Sequence, residues 1–330
     1  MAAPPHTYTI RFRMTIKGEN MENKKSIFRR MYSQRVLYLM IFPFIIYTFI
    51  FSYLPLRGWI MAFQNFRPAL GYLESPFVGL RQFEFLFVGP QSMEFWRSFR
   101  NTLCMALMIH VAGFVFPITF ALLLNEIRMI WFKRVVQSFS YLPHFLSWII
   151  VCALMSSMLS TGINGALNNA LIFLGIIKEP ILFLAEEKYF WWVVMFGNVW
   201  KEMGWNSIIY IAAIAGIDPT LYEVSALDGA NRYQRMWHVT LVGIRPTIIV
   251  LLIMNLGWIL NAGYDIQYLL GGGMLLDVSQ TIDIFVLKYG LRSGNYSLAT
   301  AAGIFRSAIS IVMVFGTNKI AKMLGEGSLI

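Results

Sequence analysis

Charged residues and cysteines are scarce in this sequence. Asp, Glu, Lys and Arg together make up 13% of its 330 residues, against about 25% in an average soluble domain, which excludes a water-soluble enzyme and a disordered chain. The two cysteines, Cys104 and Cys152, both lie in apolar runs, so the sequence has neither a disulfide framework nor a zinc motif. The dipeptide Gly-Lys does not occur, which excludes the Gly-x-x-x-x-Gly-Lys-Ser/Thr loop that binds nucleotide phosphates.

Hydrophobic residues, by contrast, are abundant. They make up 57% of the chain and lie in long blocks, which indicates an integral membrane protein because a membrane-crossing helix needs about 20 apolar residues. We predict an all-α protein with six transmembrane helices, at Val36–Leu54, Thr102–Leu124, Tyr141–Leu159, Tyr189–Ile214, Pro246–Tyr264 and Leu298–Met323. Residues 1–30 are then a basic cytoplasmic tail, and residues 31–330 form one transmembrane domain.

The positive charge, a formal +10, predicts the orientation of the chain rather than nucleic-acid binding. Lys and Arg collect in the cytoplasmic loops of membrane proteins. Segments 1–35, 125–140, 214–246 and 318–330 together contain more Lys and Arg than the segments between them, so we predict that both termini lie inside. The outer segment 55–101 is rich in Phe. It forms either helices that lie on the membrane surface or a docking surface for an external partner.

The predicted cytoplasmic loop 216–246 contains a well-defined helix start. Asp218 is followed by Pro219, and Asp is a good N-cap while Pro suits the first helical position. We expect a short helix over 219–228, a turn at Gly229 and a second helical stretch over 230–240. Such a loop would project from the membrane, and its small side chains would let another protein approach closely.

This loop resembles the EAA motif of ABC importer permeases, which reads Glu-Ala-Ala, three residues, Gly, nine residues, Ile, one residue, Leu-Pro. The matching positions are Glu223, Gly229, Val239 and Leu241. The departures are Val224 and Ser225 in place of the two Ala, and Val242 in place of the Pro.

The segments around the loop resemble the carbohydrate branch of the same family, the MalF- and MalG-like permeases, and within it the LplB-like permeases. They are residues 77–83, 99–103, 200–206 and 289–303, so the resemblance covers roughly residues 30–330. It implies a type I ABC importer permease fold and a multi-pass subunit of the inner membrane that takes part in oligosaccharide import.

The resemblance also implies the partners of the chain. They are a second, homologous permease subunit, two copies of an ABC ATPase, an extracytoplasmic solute-binding protein and an oligosaccharide substrate. ATP and Mg²⁺ would be used by the ATPase, with no cofactor on this chain. In the family the loop helix is the coupling helix that contacts the ATPase, which assigns this role to Tyr222, Glu223, Ser225, Ala226, Asp228, Gly229 and Ala230.

Ionisable residues inside the predicted spans need polar partners, because a charge in the bilayer is unfavourable. Lys201 and Glu202 lie near the middle of the fourth span. Since neighbouring residues on a helix point in different directions, we expect each to find another partner, with Arg306 a candidate for Glu202. Either these groups line a pathway for sugar hydroxyls or for acidic sugars such as alginate or pectin fragments, or they form ion pairs that lock the spans together. The candidate pathway residues are Lys201, Glu202, Trp205, Asn261, Tyr264, Asp265 and Arg306.

The sequence also has to be compared with two other functions. A stand-alone secondary transporter for a polar solute would need coupling-ion sites and internal repeats, and it would leave loop 218–246 unexplained. A membrane-embedded enzyme would need catalytic groups gathered at one membrane face, and neither a catalytic arrangement nor a metal-ligand spacing is apparent. We therefore predict a transport subunit that is not an enzyme.

Overall fold

The computed structural model describes residues 32–256, 260 and 262–323. The predicted N-terminal tail and Asn261 lie outside these residues. The chain divides into two compact units after Gly58. The described part of the first unit contains helix α1 (Arg35–Thr48), a π-helical turn (Phe49–Tyr53) and the start of a 3-10 helix, Leu54–Phe63.

The described part of the second unit consists of helices and loops, with one isolated β-bridge between Gln64 and Phe77. Its α-helices are α2 (Gly71–Glu74), α3 (Arg81–Val88), α4 (Ser92–Asn125), α5 (Ile130–Tyr141), α6 (Trp148–Met158), α7 (Ala166–Phe173), α8 (Glu187–Ala215), α9 (Pro219–Leu227), α10 (Arg232–Arg235), α11 (Leu241–Gly243), α12 (Arg245–Leu256), α13 (Asp265–Leu270), α14 (Leu276–Ser279), α15 (Ile282–Val286) and α16 (Tyr296–Met323). The shorter helices are 3-10 turns at Leu142–Phe145 and Gly273–Leu275 and π-helical turns at Met236–Thr240 and Leu287–Arg292. The all-α prediction is confirmed for the part of the chain that the structure describes.

Three helical segments can each cross a membrane by length and composition: residues 35–63, α4, and Tyr296–Gly316 of α16. Three more candidates are pairs of helices with a sharp bend between them: α5 with α6 (108°), α8 with α9 (71°), and Arg232–Gly243 with Arg245–Asn255 (58°). The described residues thus provide three such segments, or up to six if each bent pair is one span. Six transmembrane helices with both termini inside therefore stay a prediction.

The third predicted span, Tyr141–Leu159, is wrong as a single helix. The chain leaves α5 through the 3-10 turn, becomes extended at Leu146, and starts α6 in a direction 108° away. Ser147 causes the restart, because its hydroxyl accepts a hydrogen bond from the Ile150 N–H (3.4 Å) and so caps α6. The long uncharged, apolar stretch around Ser147 favoured one continuous helix, so the break was not predicted.

The fifth predicted span, Pro246–Tyr264, is also shorter than expected. Helix α12 is described as far as Leu256, and the backbone of residues 262–264 is not helical. Gly263 has a positive φ of 80°, which an α-helix does not accommodate. Residues 257–259 lie outside the described part of the chain.

Helix α8 lies at the centre of the packing. Its apolar residues Phe190, Val193 and Val194 are buried in one cluster with Met105 and Ala106 of α4. On another side α5 comes so close that a Cβ atom at Gly204 would lie 2.0 Å from the carbonyl oxygen of Ser140. Helix α8 is thereby held between α4 and the bent pair α5–α6.

The aromatic residues of segment 55–101 are divided between core and surface. Phe95 is fully buried, and its ring contacts those of Phe87 and Phe305 at centroid distances of 6.0 and 5.4 Å. Phe77, by contrast, is 71% exposed. Much of this segment therefore forms a core with α16 rather than a free surface, while its exposed residues keep the docking interpretation open.

Replacing Gly204 by Ala tests the close contact between α8 and α5. Alanine normally stabilises a helix interior relative to glycine, but the new methyl group would meet the Ser140 backbone. We expect the unfolding free energy of the purified complex to fall by about 1–3 kcal/mol, as in other overpacked cores. Gly316→Ala, on an exposed part of α16 with open space around it, should leave the Tm unchanged or raise it. An equal Tm for both variants would refute the contact.

Candidate functional site

The loop between α8 and α12 has the predicted helix start and turn. The Asp218 side chain accepts a hydrogen bond from the Thr220 N–H (2.9 Å) and caps α9. This bond holds the pKa of the Asp218 carboxyl below its ordinary value. Helix α9 ends at Leu227, one residue before the predicted end, and Gly229 turns the chain with a φ of 80°.

A second cap follows the glycine turn. The Asn231 side chain accepts from the Gln234 N–H, and the Gln234 side chain accepts from the Asn231 N–H, which is a complete capping box. The predicted helical stretch over 230–240 is confirmed as α10 and the π-helical turn after it. The sequence signal for this box, an N-cap residue with Gln three positions later, was missed. Side-chain caps thus fix the N-terminus of each of the two helices, and backbone hydrogen bonds close the turn between them.

The predicted coupling residues are divided into those inside the loop and those on its surface. The hydroxyl of Tyr222 lies 3.0 Å from that of Thr240, and the Ser225 hydroxyl donates to the Tyr222 carbonyl at 2.9 Å. Tyr222, Ser225 and Ala230 are half-buried. The exposed members of the predicted set are Glu223, Ala226, Asp228 and Gly229.

Apolar side chains extend this exposed surface. Leu221, Val224 and Leu227 are spaced three residues apart, which places them along one side of α9, and Leu227 is 88% exposed. These three, with the exposed Glu223, Ala226, Asp228 and Gly229, form what we call the coupling face. Exposed apolar groups gathered on one surface mark a protein interface. These three apolar residues were not among the predicted coupling residues, although their spacing of three is visible in the sequence.

An arginine ties the loop to the end of α4. The Arg232 side chain donates to the Glu126 carbonyl (2.9 Å), and its Nε lies 3.4 Å from the Glu126 carboxylate. Glu126 directly follows α4. A displacement of the loop therefore pulls on α4 through two contacts of one side chain.

Lys201 and Glu202 in α8 both contact the bend between α5 and α6. The buried Lys201 ammonium donates to the His144 carbonyl at 2.6 Å, and one Glu202 oxygen lies 2.7 Å from Nδ1 of His144. The other Glu202 oxygen is 3.3 Å from the ammonium of Lys201. The expectation that these neighbours do not pair is wrong, because both long side chains converge on the same residue of the bend.

The neighbouring aromatic rings complete this cluster. Trp205 stacks on the His144 ring with a centroid distance of 4.3 Å and an interplanar angle of 2°. The Lys201 ammonium lies 5.4 Å from the centre of the Trp148 ring, a favourable cation–π contact. Of the two interpretations of Lys201, its burial and these contacts favour a lock between helices.

Glu202 and Trp205 also border a cavity, which we call the central cavity. It has a volume of about 420 Å³ and lies between α4, α8 and α12. Its polar lining residues are His110, Asn198, Glu202, Asn206 and Asn255. The three asparagines were missed, because they come from two helices whose approach the sequence does not reveal.

Two further pathway candidates line a different cavity, which we call the Arg306 cavity. It measures about 640 Å³, and Tyr264, Asp283 and Arg306 are among its lining residues. Arg306 forms an ion pair with Asp283, so the suggested pair of Arg306 with Glu202 is wrong. The physical reason is that α15, which contains Asp283, packs directly on α16, whereas Glu202 is bonded to His144 at the bend between α5 and α6.

The predicted pathway residues therefore do not form one site. Glu202 and Trp205 belong to the central cavity, Tyr264 and Arg306 to the Arg306 cavity, and Lys201 to the buried cluster. Asp265 is exposed at the first turn of α13. Among the described residues no cluster of three or more His, Cys, Asp or Glu could hold a metal ion.

Replacing Lys201 by Met tests the lock. The Met side chain keeps the length but leaves Glu202 without its cation, and we expect a loss of about 3 kcal/mol of stability, as when a buried ion pair is broken. The measurement is the Tm of the purified complex. Lys188→Met removes an exposed lysine from the same helix and should leave the Tm unchanged. Normal stability of Lys201→Met together with lost transport would favour the pathway interpretation instead.

The comparisons with known proteins agree with this geometry. A family model described as "Binding-protein-dependent transport system inner membrane component" matches residues 113–324. The chain is 41% identical to the polygalacturonan/rhamnogalacturonan transport system permease protein YteP of Bacillus subtilis (strain 168), over 92% of this chain and 93% of YteP. It is 39% identical to the protein LplB of the same organism, over 89% of this chain and 90% of LplB.

Solved structures give the same picture. The chain matches a chain in the crystal structure of a bacterial ABC transporter involved in the import of the acidic polysaccharide alginate, with a TM-score of 0.80 and 35% identity, over 90% of this chain and 99% of that one. A second match, with the same TM-score and identity, is to the bacterial alginate ABC transporter in complex with an alginate pentasaccharide-bound periplasmic protein.

Proposed function

The chain belongs to the family of binding-protein-dependent transport system inner membrane components, and from this premise we propose that it is one permease subunit of an ATP-driven importer of acidic oligosaccharides. The acidic character of the substrate is supported by the names of two similar proteins. One is named for polygalacturonan and rhamnogalacturonan, and the other for alginate.

The coupling face is the observation that carries the proposal. It is an exposed, partly apolar surface on a loop whose helices are capped on both sides of Gly229. We infer that a cytoplasmic ABC ATPase covers it, and that ATP and Mg²⁺ are used there, with no cofactor on this chain. A stand-alone secondary transporter would have no use for such a surface.

The loop connects to all three helices that border the central cavity. Helix α8 continues into α9, α11 leads directly into α12, and α4 is tied to the loop by Arg232 and Glu126. Movement of the loop by the ATPase would therefore shift the walls of the cavity as packed bodies. In this way, closure of the ATPase would open the central cavity alternately to the two sides of the membrane.

The remaining partners follow from the open cavities. A second, similar permease subunit would cover them from the other side of the pathway, two copies of the ATPase would serve the two subunits, and an extracytoplasmic solute-binding protein would deliver the sugar. We propose six spans with both termini on the cytoplasmic side of the inner membrane, in which α8 and α12 each cross the membrane and α9 to α11 form the cytoplasmic loop between them. The asparagines of the central cavity would hydrogen-bond sugar hydroxyls, and Arg306 would attract carboxylates.

Replacing Gly229 by Asp tests the coupling face. None of the described residues comes within 4 Å of a Cβ atom placed at this position, so the new side chain has room in this chain and would meet the partner. We expect ATPase activity stimulated by the binding protein, and sugar uptake, to fall at least tenfold in proteoliposomes. Gly229→Asn, which tolerates the positive φ and carries no charge, should retain more of both. Unchanged uptake by Gly229→Asp would remove the ATPase from this surface and favour a secondary transporter.

Replacing Arg232 by Gln tests the tie to α4. The coupling face stays intact, so we expect ATP hydrolysis to continue while the sugar imported per ATP falls severalfold, because α4 no longer follows the loop. The ratio is measured by parallel uptake and phosphate-release assays. Arg128→Gln, which removes an exposed charge two residues after Glu126, is the control. An unchanged ratio for Arg232→Gln would show that the tie does not transmit movement.

A further inference from the structure

A third polar cavity lies between α13, the segment 271–280 and the π-helical turn Leu287–Arg292, and we call it the Arg292 pocket. Its volume of about 480 Å³ falls within the range of small-ligand sites. Tyr268, Gln280, Lys288 and Arg292 supply most of its polar groups, and no Asp or Glu is among the described residues that line it. The segment 265–297 that contains the pocket is on the outer side in the proposed orientation.

The pocket has a positive charge that this chain does not fully neutralise. Lys288 and Arg292 lie one turn apart on the π-helical turn. Lys288 is paired with Glu94 of α4. Arg292 donates to the hydroxyl of Tyr268 and lies over the same ring, but it has no carboxylate within 4 Å in the part of the chain that the structure describes. A guanidinium has five N–H donors, so Arg292 has donors to spare for a carboxylate.

Two stacked tyrosines connect the Arg292 pocket with the Arg306 cavity. The rings of Tyr264 and Tyr268 stack with a centroid distance of 5.1 Å and an interplanar angle of 20°. Tyr268 lines the Arg292 pocket and Tyr264 lines the Arg306 cavity, while Leu287 borders both. Arg292 thus lies over one tyrosine of the pair, and the other tyrosine borders the cavity that Arg306 also lines.

This combination has the chemistry needed for an acidic sugar. A planar guanidinium binds a carboxylate through two parallel hydrogen bonds, and a tyrosine offers a flat apolar face with a polar edge on which a pyranose ring can lie. A neutral sugar would use the tyrosine but would leave the charge of Arg292 unused.

We propose that the Arg292 pocket is an entrance subsite that binds the carboxylate of one uronate residue before the oligosaccharide passes over the two tyrosines to Arg306. This inference rests on the proposed import of acidic oligosaccharides and on the proposed orientation. The bound group is an oxyanion held by Arg292, since Lys288 is already paired with Glu94. An anionic lipid headgroup presents the same chemistry, and the experiment separates the two.

The test is an uptake competition in proteoliposomes that contain the full transporter and its binding protein. The probes are alginate pentasaccharide and a galacturonate pentasaccharide as acidic sugars, and maltopentaose as a neutral sugar of equal length. For Arg292→Gln we expect kcat/KM for the acidic probe to fall about tenfold, mainly through KM, which is the loss of one charge-assisted contact. Uptake of maltopentaose should change less than twofold.

Two variants control for general effects of charge. Arg292→Lys keeps the cation without the paired donors and should recover part of the loss. Lys178→Gln removes an exposed positive charge that does not line the pocket, and it should leave both probes unaffected. All measurements are made in phosphatidylcholine vesicles and repeated with anionic lipid added.

The outcomes distinguish this subsite from the proposed function. If the wild type imports no probe, the proposed function fails and the subsite with it. If it imports maltopentaose alone, sugar import stands, but the acidic substrate class and the subsite are both refuted. If it imports an acidic probe and Arg292→Gln changes nothing, or lowers acidic and neutral uptake equally, only the subsite is refuted. An effect of Arg292→Gln confined to vesicles with anionic lipid would assign the pocket to a headgroup and overturn the proposal.

Discussion

The hydrogen bond from the Lys201 ammonium to the His144 carbonyl determines much of the arrangement around α8. The bend between α5 and α6 presents this carbonyl to α8, and a cation in the middle of an apolar helix meets it at 2.6 Å. Glu202 and Trp205 then fix the His144 ring from two sides. Because Glu202 and Trp205 also border the central cavity, the geometry of that cavity depends on a buried charge that does not itself line it.

The coupling loop and the region around Arg292 are held in place by different interactions. At the coupling loop, α9 and α10 bury no residue, and two helix caps and the contact between Tyr222 and Thr240 hold them. Around Arg292 the helices are short and separated by glycines with positive φ, but side chains such as Ile282 and Phe285 are fully buried. Side-chain hydrogen bonds near the surface therefore hold the coupling loop, whereas buried apolar side chains hold the region around Arg292.

Features determined by a few neighbouring residues were predictable from the sequence. The cap at Asp218, the Pro219 helix start and the turn at Gly229 depend on local backbone chemistry, and the structure has all three. The partners of Lys201 and Arg306 were not predictable, because they depend on which helices pack together: His144 precedes Lys201 by 57 residues, and Asp283 precedes Arg306 by 23. The break at Ser147 had a local signal, but the long apolar run around it favoured one continuous span. The central cavity combines α4, α8 and α12, and no pattern within any one of them reveals it.

The order of these partners along the chain has a consequence for how the protein enters the membrane. A polypeptide is inserted from its N-terminus, and a lone cation within the bilayer is unfavourable by roughly 2.5–3.5 kcal/mol even on insertion scales. For both Lys201 and Arg306 a hydrogen-bond acceptor comes earlier in the sequence, the carbonyl of His144 and the carboxylate of Asp283. Each cation can therefore find this acceptor as its own helix leaves the translocon, without waiting for segments that have not yet been synthesised. Biogenesis as well as transport is thus served by an acceptor that is translated before the cation it binds.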